Sequence, residues 1–114
     1  MQPLVGVMVE TAAGLAAVDA IAAVPGVDLV FVGPFDLSAS LGTTVDELLA
    51  DDGPEAPLPR ILAACRAAGV EAGAFGATEP RATRFLELGF TFVVAALDTS
   101  VIAAGGSIAE RIRG

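Results

Sequence analysis

The sequence predicts an α/β fold built from four consecutive β-α units. Two features carry that expectation: apolar runs of strand length alternate four times with segments of helical period, and the connections between them are short. A third feature bounds it, since 114 residues suffice for one domain of ordinary size. The whole span 1–114 is therefore expected to be a single α/β domain.

The first run, Leu4 to Val9, is β-branched and apolar almost throughout, the pattern of a parallel strand buried on both faces, and it ends at Glu10. Thr11 then offers an N-cap for an alanine-rich helix over 12–24, with Leu15, Val18, Ile21 and Ala22 on one face and Pro25-Gly26 as its stop. The second run, Val27 to Val32, repeats the buried pattern and ends in Gly33-Pro34-Phe35-Asp36. Residues 37–42 read as a turn or short helical piece, and Thr43 or Thr44 caps a short helix through Leu48 and Leu49. Residues 51–57, with Gly53, Pro54 and Pro57, read as a solvated loop before a helix over 58–68 closed by Gly69. A third, glycine-containing run spans 70–75, followed by a helix over 80–88 that ends at Gly89. The fourth run, 90–97, leads through Asp98-Thr99-Ser100 to a last helix over 101–112, where Gly105-Gly106 is a weak point. Such a string forms an open doubly wound sheet or, doubled, an eight-stranded barrel, and periodicity alone does not choose. Glu10-Thr11-Ala12-Ala13-Gly14 stands where a dinucleotide fingerprint would, so that reading is weak.

Composition excludes much chemistry. The formal charge of −8 argues against nucleic acid or an anionic membrane surface as partner. No apolar run reaches the ~20 residues that span a bilayer, and Met1-Gln2-Pro3-Leu4 lacks the features of a signal peptide. A single cysteine, Cys65, fits a reducing, cytoplasmic setting and a packing role on a helix. Histidine, lysine, tyrosine and tryptophan are absent, and all six basic residues are arginine. Schiff-base catalysis, Ser-His-Asp hydrolysis and His/Cys zinc sites are thereby excluded within this chain.

Carboxylates, backbone amides and a hard cation remain. In parallel α/β folds the C-terminal ends of the strands share one face, where active sites are built. That face is expected to hold Glu10, Gly33-Pro34-Phe35-Asp36, Phe75-Gly76 and Asp98-Thr99. Burying a carboxylate without a partner is costly, so a cation or donor is expected near Glu10 and Asp36. Oxygen donors alone suit magnesium or manganese. Each acid also has a folding role open to it: Glu10 as a helix-start charge, Asp36 and Asp98 as N-caps.

The words of the sequence add more. Val9-Glu10-Thr11-Ala12-Ala13-Gly14-Leu15, Val24-Pro25-Gly26-Val27-Asp28 and Val32-Gly33-Pro34-Phe35-Asp36-Leu37-Ser38-Ala39-Ser40-Leu41-Gly42 resemble the HpcH/HpaI aldolase family, which includes 4-hydroxy-2-oxoheptanedioate and 2-keto-3-deoxy sugar-acid aldolases. Cys65-Arg66-Ala67-Ala68-Gly69, Gly89-Phe90-Thr91-Phe92-Val93 and Asp98-Thr99-Ser100 continue the resemblance in order. It implies the C-terminal half of a (β/α)8 barrel and reversible, metal-dependent cleavage of a 4-hydroxy-2-oxo acid to pyruvate and an aldehyde. By the same resemblance Glu10 and Asp36 are the ligands of Mg2+ or Mn2+, Gly33, Pro34 and Phe35 form the loop that holds the pyruvate carboxylate, the amides of Phe35 and Asp36 are the donors, and Phe75 lines the aldehyde side. Family enzymes carry a base histidine and an enolate-stabilising arginine in their first four units; this chain has no histidine, and none of its arginines matches that position. No catalytic acid or base is therefore expected here. Such a half exposes two strand edges and an apolar face, so it is expected to dimerise or to pair with an N-terminal half. A citrate lyase β-subunit or malyl-CoA lyase-like enzyme, or a non-catalytic half-barrel module, are the rival readings.

Overall fold

Residues 2–114 are described by a computed structural model, in which four parallel strands stand side by side in chain order, β1-β2-β3-β4. They are β1 (Gly6–Val9), β2 (Leu29–Val32), β3 (Glu71–Phe75) and β4 (Phe92–Val94). The helices are α1 (Ala12–Ala16), α2 (Val18–Ala22), α3 (Pro34–Leu41), α4 (Val45–Ala50), α5 (Pro57–Ala68), α6 (Glu79–Leu88) and α7 (Asp98–Arg113).

Register explains which side of the sheet is covered. Val9, Val32, Ala74 and Val93 pair in one row, and Val30 pairs with Ala72 in the row two residues below. These side chains share a face and join the core formed with Leu15, Val18, Leu37, Leu58, Ile61 and Phe85. The intervening row, Met8, Phe31, Gly73 and Phe92, points the other way. There Met8 is 56% and Phe92 51% exposed, although the rings of Phe31 and Phe92 pack edge to face with centroids 6.3 Å apart. The expectation that the first strand is buried on both faces is thus corrected. Helices cover one face only, and Gly6 and Met8 look out on the open one.

The helices also depart from expectation in detail. The segment 12–24 forms two short helices meeting at Ala17 rather than one, although Thr11 caps the first as expected, its Oγ1 accepting from the Gly14 N–H at 3.0 Å. Residues 34–36 are already helical: Pro34, whose ring fixes φ and whose missing N–H costs nothing at a helix start, begins α3. Thr44 is the cap of α4, accepting from the Glu47 N–H at 3.2 Å. The fourth strand is shorter than its apolar run. Phe90 falls before it, fully buried, with its ring edge-on to Phe85 at 5.2 Å. The last helix starts at Asp98, runs through Gly105-Gly106 without a break, and has no buried residue.

Cys65 lies on α5 and is 2% exposed, so packing on a helix is what the structure shows. Burial, helped by the negative charge of Glu71, pushes its thiol up from the ordinary value of 9.0. The folded chain therefore holds this proton more tightly than the unfolded chain. The contribution to stability is complete at neutral pH and declines as pH rises beyond the unfolded thiol's value. Cys65 is expected to resist thiol reagents at pH 8 until denaturant unfolds the chain. Rapid labelling of the native protein would contradict that burial.

Among the described residues no helix is long and apolar enough to cross a membrane.

Candidate functional site

The two acids expected to act together sit at the ends of adjacent strands. Glu10 follows β1 and is half-buried; Asp36 lies in the first turn of α3, directly after β2, and is exposed. The Glu10 side chain lies flat against Gly33. A Cβ built on Gly33 would stand 3.0 Å from both Cγ and Oε1 of Glu10, so the absence of a side chain there leaves the room this carboxylate occupies.

Asp36 lies on the stripe of α3 that faces the segment after β1. Gly33, Asp36 and Ser40 fall at i, i+3 and i+7, one stripe of the helix. The upper end of that stripe touches Glu10 through Gly33. At its lower end Ser40 Oγ accepts from the Ala12 N–H at 2.8 Å. Both ends of the stripe are thus fastened to the segment 10–12, and Asp36 lies between them.

Neither acid serves as an N-cap. Thr11 caps α1, and the N-cap position of α3 is Gly33, which has no side chain to offer. Asp36 is a first-turn acid, favoured by the helix dipole by ~0.3–1 kcal/mol. The described ion pairs use Asp46, Asp52 and Glu87 and leave Glu10 and Asp36 out. Asp98 is also displaced from the expected N-cap position. Leu97 is the cap residue, and the Asp98 carboxylate accepts from the Thr99 N–H at 2.8 Å.

The remaining expected residues surround the start of α3. Pro34 is buried, which anchors the turn, and the first-turn N–H groups of α3 have no helical acceptor and meet no side-chain cap. Phe35 is 46% exposed, and its ring leans on that of Phe75 at 6.1 Å. The structure therefore gathers Glu10, Gly33, Pro34, Phe35, Asp36 and Phe75 around one helix start. Among the described residues no group of three or more His, Cys, Asp or Glu side chains is placed to hold an ion. An ion held here would have two protein carboxylates at most.

Two contributors were not foreseen. Ser40 could have been found from its i+4 spacing to Asp36. Arg81 could not, because its partners are distant in sequence. Its guanidinium carbon lies over the Phe35 ring, 5.5 Å from the centroid, and its Nε donates to Asp46 Oδ1 at 3.0 Å. That hydrogen bond, and the positive charge behind it, hold the Asp46 carboxyl below its ordinary range. The Asp46 side chain is exposed, so the pair adds little stability of its own.

Parallel strands in chain order, with helices between them packed on one face only, have the architecture of half a (β/α)8 barrel. The comparisons make the class specific. The family model described as HpcH/HpaI aldolase/citrate lyase matches residues 2–104, and the chain belongs to that family. A hydroxypyruvate/pyruvate aldolase from Deinococcus radiodurans is 46% identical over 99 residues, covering 85% of this chain and 34% of the relative. A 4-hydroxy-2-oxo-heptane-1,7-dioate aldolase from Salmonella paratyphi C is 37% identical, covering 87% and 37% respectively. The crystal structure of an HpcH/HpaI aldolase/citrate lyase family protein from Burkholderia cenocepacia superposes with a TM-score of 0.81 at 37% identity, covering 99% of this chain and 44% of that one. The chain thus spans about a third of the length of these curated relatives.

Proposed function

We propose that this chain forms the metal- and keto-acid-binding face of a class II pyruvate aldolase. In this reading Glu10 and Asp36 hold a divalent ion, and the first-turn amides of α3, those of Phe35 and Asp36, receive the carboxylate of a 2-oxo acid. The stripe Gly33-Asp36-Ser40 supports it most directly, because its two ends, Gly33 and Ser40, meet Glu10 and Ala12.

The residues fit such an ion. The donors are all oxygen, which favours Mg2+ or Mn2+ over softer metals. Two carboxylates leave coordination positions for water and for substrate oxygens, the usual arrangement for magnesium. When bound, the ion supplies positive charge for the negative charge that develops on a keto oxygen. The chain's own groups bind and orient. Gly33 leaves space for the Glu10 carboxylate, Pro34 fixes the entry into α3, and Phe35 with Phe75 offers an apolar ledge for the aldehyde portion.

The histidine base that the family resemblance implies is not among these groups, since the chain has no histidine. In the completed barrel four further β-α units cover the open sheet face and contribute the base and an arginine. The reaction is then cleavage of a 4-hydroxy-2-oxo acid to pyruvate and an aldehyde. The names of the curated relatives, hydroxypyruvate/pyruvate aldolase and 4-hydroxy-2-oxo-heptane-1,7-dioate aldolase, favour it over a lyase for CoA thioesters.

Calorimetric titration tests the reading. The 114-residue chain is expected to bind one Mn2+, and to bind pyruvate only when Mn2+ is present. At a hundredfold excess over its dissociation constant the ion should stabilise the fold by about 2.7 kcal/mol. Pyruvate binding that ignores the metal, or no metal binding at all, rules the assignment out.

Gly33→Ala gives a finer check. The nearest atoms to the new methyl belong to the flexible Glu10 side chain, and φ at Gly33 is −93°, so stability should change by less than ~1 kcal/mol. Mn2+ affinity should nevertheless fall ~10–100-fold as the carboxylate is pushed aside. Unchanged Mn2+ affinity in this variant would separate Gly33 from the ion site.

A further inference from the structure

The start of α3 is braced from outside the candidate site. Phe35 is the second residue of that helix; two other elements meet its ring and a third is tied to one of them. Its ring leans on Phe75 at the end of β3. Over it, 5.5 Å from the centroid, lies the guanidinium carbon of Arg81, which comes from the first turn of α6. Arg81 is itself oriented by the Nε–Asp46 hydrogen bond at 3.0 Å, and Asp46 belongs to the first turn of α4.

A guanidinium stacked on an aromatic face is held by the ring's negative quadrupole. Its planar fork can hydrogen-bond through one edge while stacking through its face, which an ammonium cannot do. Arg81 sets its guanidinium carbon over the Phe35 ring while its Nε donates to Asp46, and so links the starts of α4 and α6 to the tip of α3. The first-turn amides of α3 belong to the same short stretch of backbone as Phe35.

We infer that Arg81 is a positioning residue: lying over the Phe35 ring while bonded to Asp46, it holds the first-turn amides of α3 in the orientation that receives a substrate carboxylate. The inference deepens the keto-acid reading and rests on it for the identity of the ligand. The bracing of Phe35 is a property of the free chain.

Two measurements on the 114-residue chain keep the two claims apart. The first is the backbone order parameter of Phe35 and Asp36 by nitrogen relaxation without ligand. Arg81→Ala should lower it from the rigid range near ~0.85 toward ~0.6. Arg81→Lys should restore it only in part, and Arg84→Ala, whose side chain contacts Leu49, Asp52 and Glu87, should leave it unchanged. The second is titration with Mn2+ and then pyruvate. Arg81→Ala should weaken pyruvate binding at saturating Mn2+ by ~10-fold or more while changing Mn2+ affinity less than ~2-fold. A purely structural role would lower both together. An unchanged order parameter in Arg81→Ala overturns the positioning role, whatever the wild type binds. If the wild type binds no pyruvate while Arg81→Ala still loosens Phe35, the keto-acid reading fails and only the bracing survives. Equal losses of Mn2+ and pyruvate affinity also overturn the positioning role.

Discussion

Phe85→Ala is expected to cost about 3–5 kcal/mol of folding free energy, the range for truncating a fully buried phenylalanine. Phe85 is 0% exposed, lies on α6, and meets Phe90 edge to face at 5.2 Å. It belongs to the same core cluster as Ala74 of β3, Ile61 of α5 and Leu48 of α4. Truncation leaves a cavity in that cluster and removes an aromatic pair. Domains of this size are stable by only ~5–15 kcal/mol, so the loss should move the urea midpoint markedly or abolish the cooperative transition. Phe85→Leu should cost much less. A loss below ~1 kcal/mol for the alanine variant would mean that this core is not packed as described.

Asp36→Asn should act in the opposite manner, sparing the fold and removing the ion. The substitution keeps the size of the side chain and discards its charge. Asp36 is exposed, is not a cap and takes part in no described ion pair, so its loss removes only the dipole interaction of ~0.3–1 kcal/mol. One of two protein carboxylates would be gone, and Mn2+ affinity should fall ~100-fold or more, equivalent to about 2.8 kcal/mol. Glu10→Gln should do the same. The double variant should lose little beyond either single one, since a site missing one ligand has already lost most of what the other contributes. If the two single losses simply add, or if either variant retains wild-type Mn2+ affinity, the carboxylates do not share an ion.

The sequence revealed most where the physics is local. Thr11, Gly69 and Gly89 mark helix ends by side-chain capping or by left-handed backbone, and each stands where it was expected. The acids at the tips of β1 and β2 were legible because a charge closing an apolar run is conspicuous. The exposure of Met8 and Phe92 was not legible. An apolar run reports that a strand is suited to burial on both faces, and only the layering shows whether both are covered. The start of α3 was misread as a loop because Gly-Pro suggests a turn, whereas Gly33 is the N-cap position and Pro34 the first helical residue. Arg81 was hidden for a different reason. Its partners lie 35 and 46 positions away, and only tertiary packing brings Asp46 and Phe35 to it.

The sequential strand order has a consequence for how such a sheet is put together. Each interior strand is bonded on one side to its predecessor and on the other to its successor, all with the same polarity. The outer margins of β1 and β4 present amide and carbonyl groups of the kind already used between them. Assembly is therefore additive: another strand of the same direction can dock at either margin by the same bonding rule, without reordering those in place. Curvature, not hydrogen-bond chemistry, decides when the growing wall meets itself.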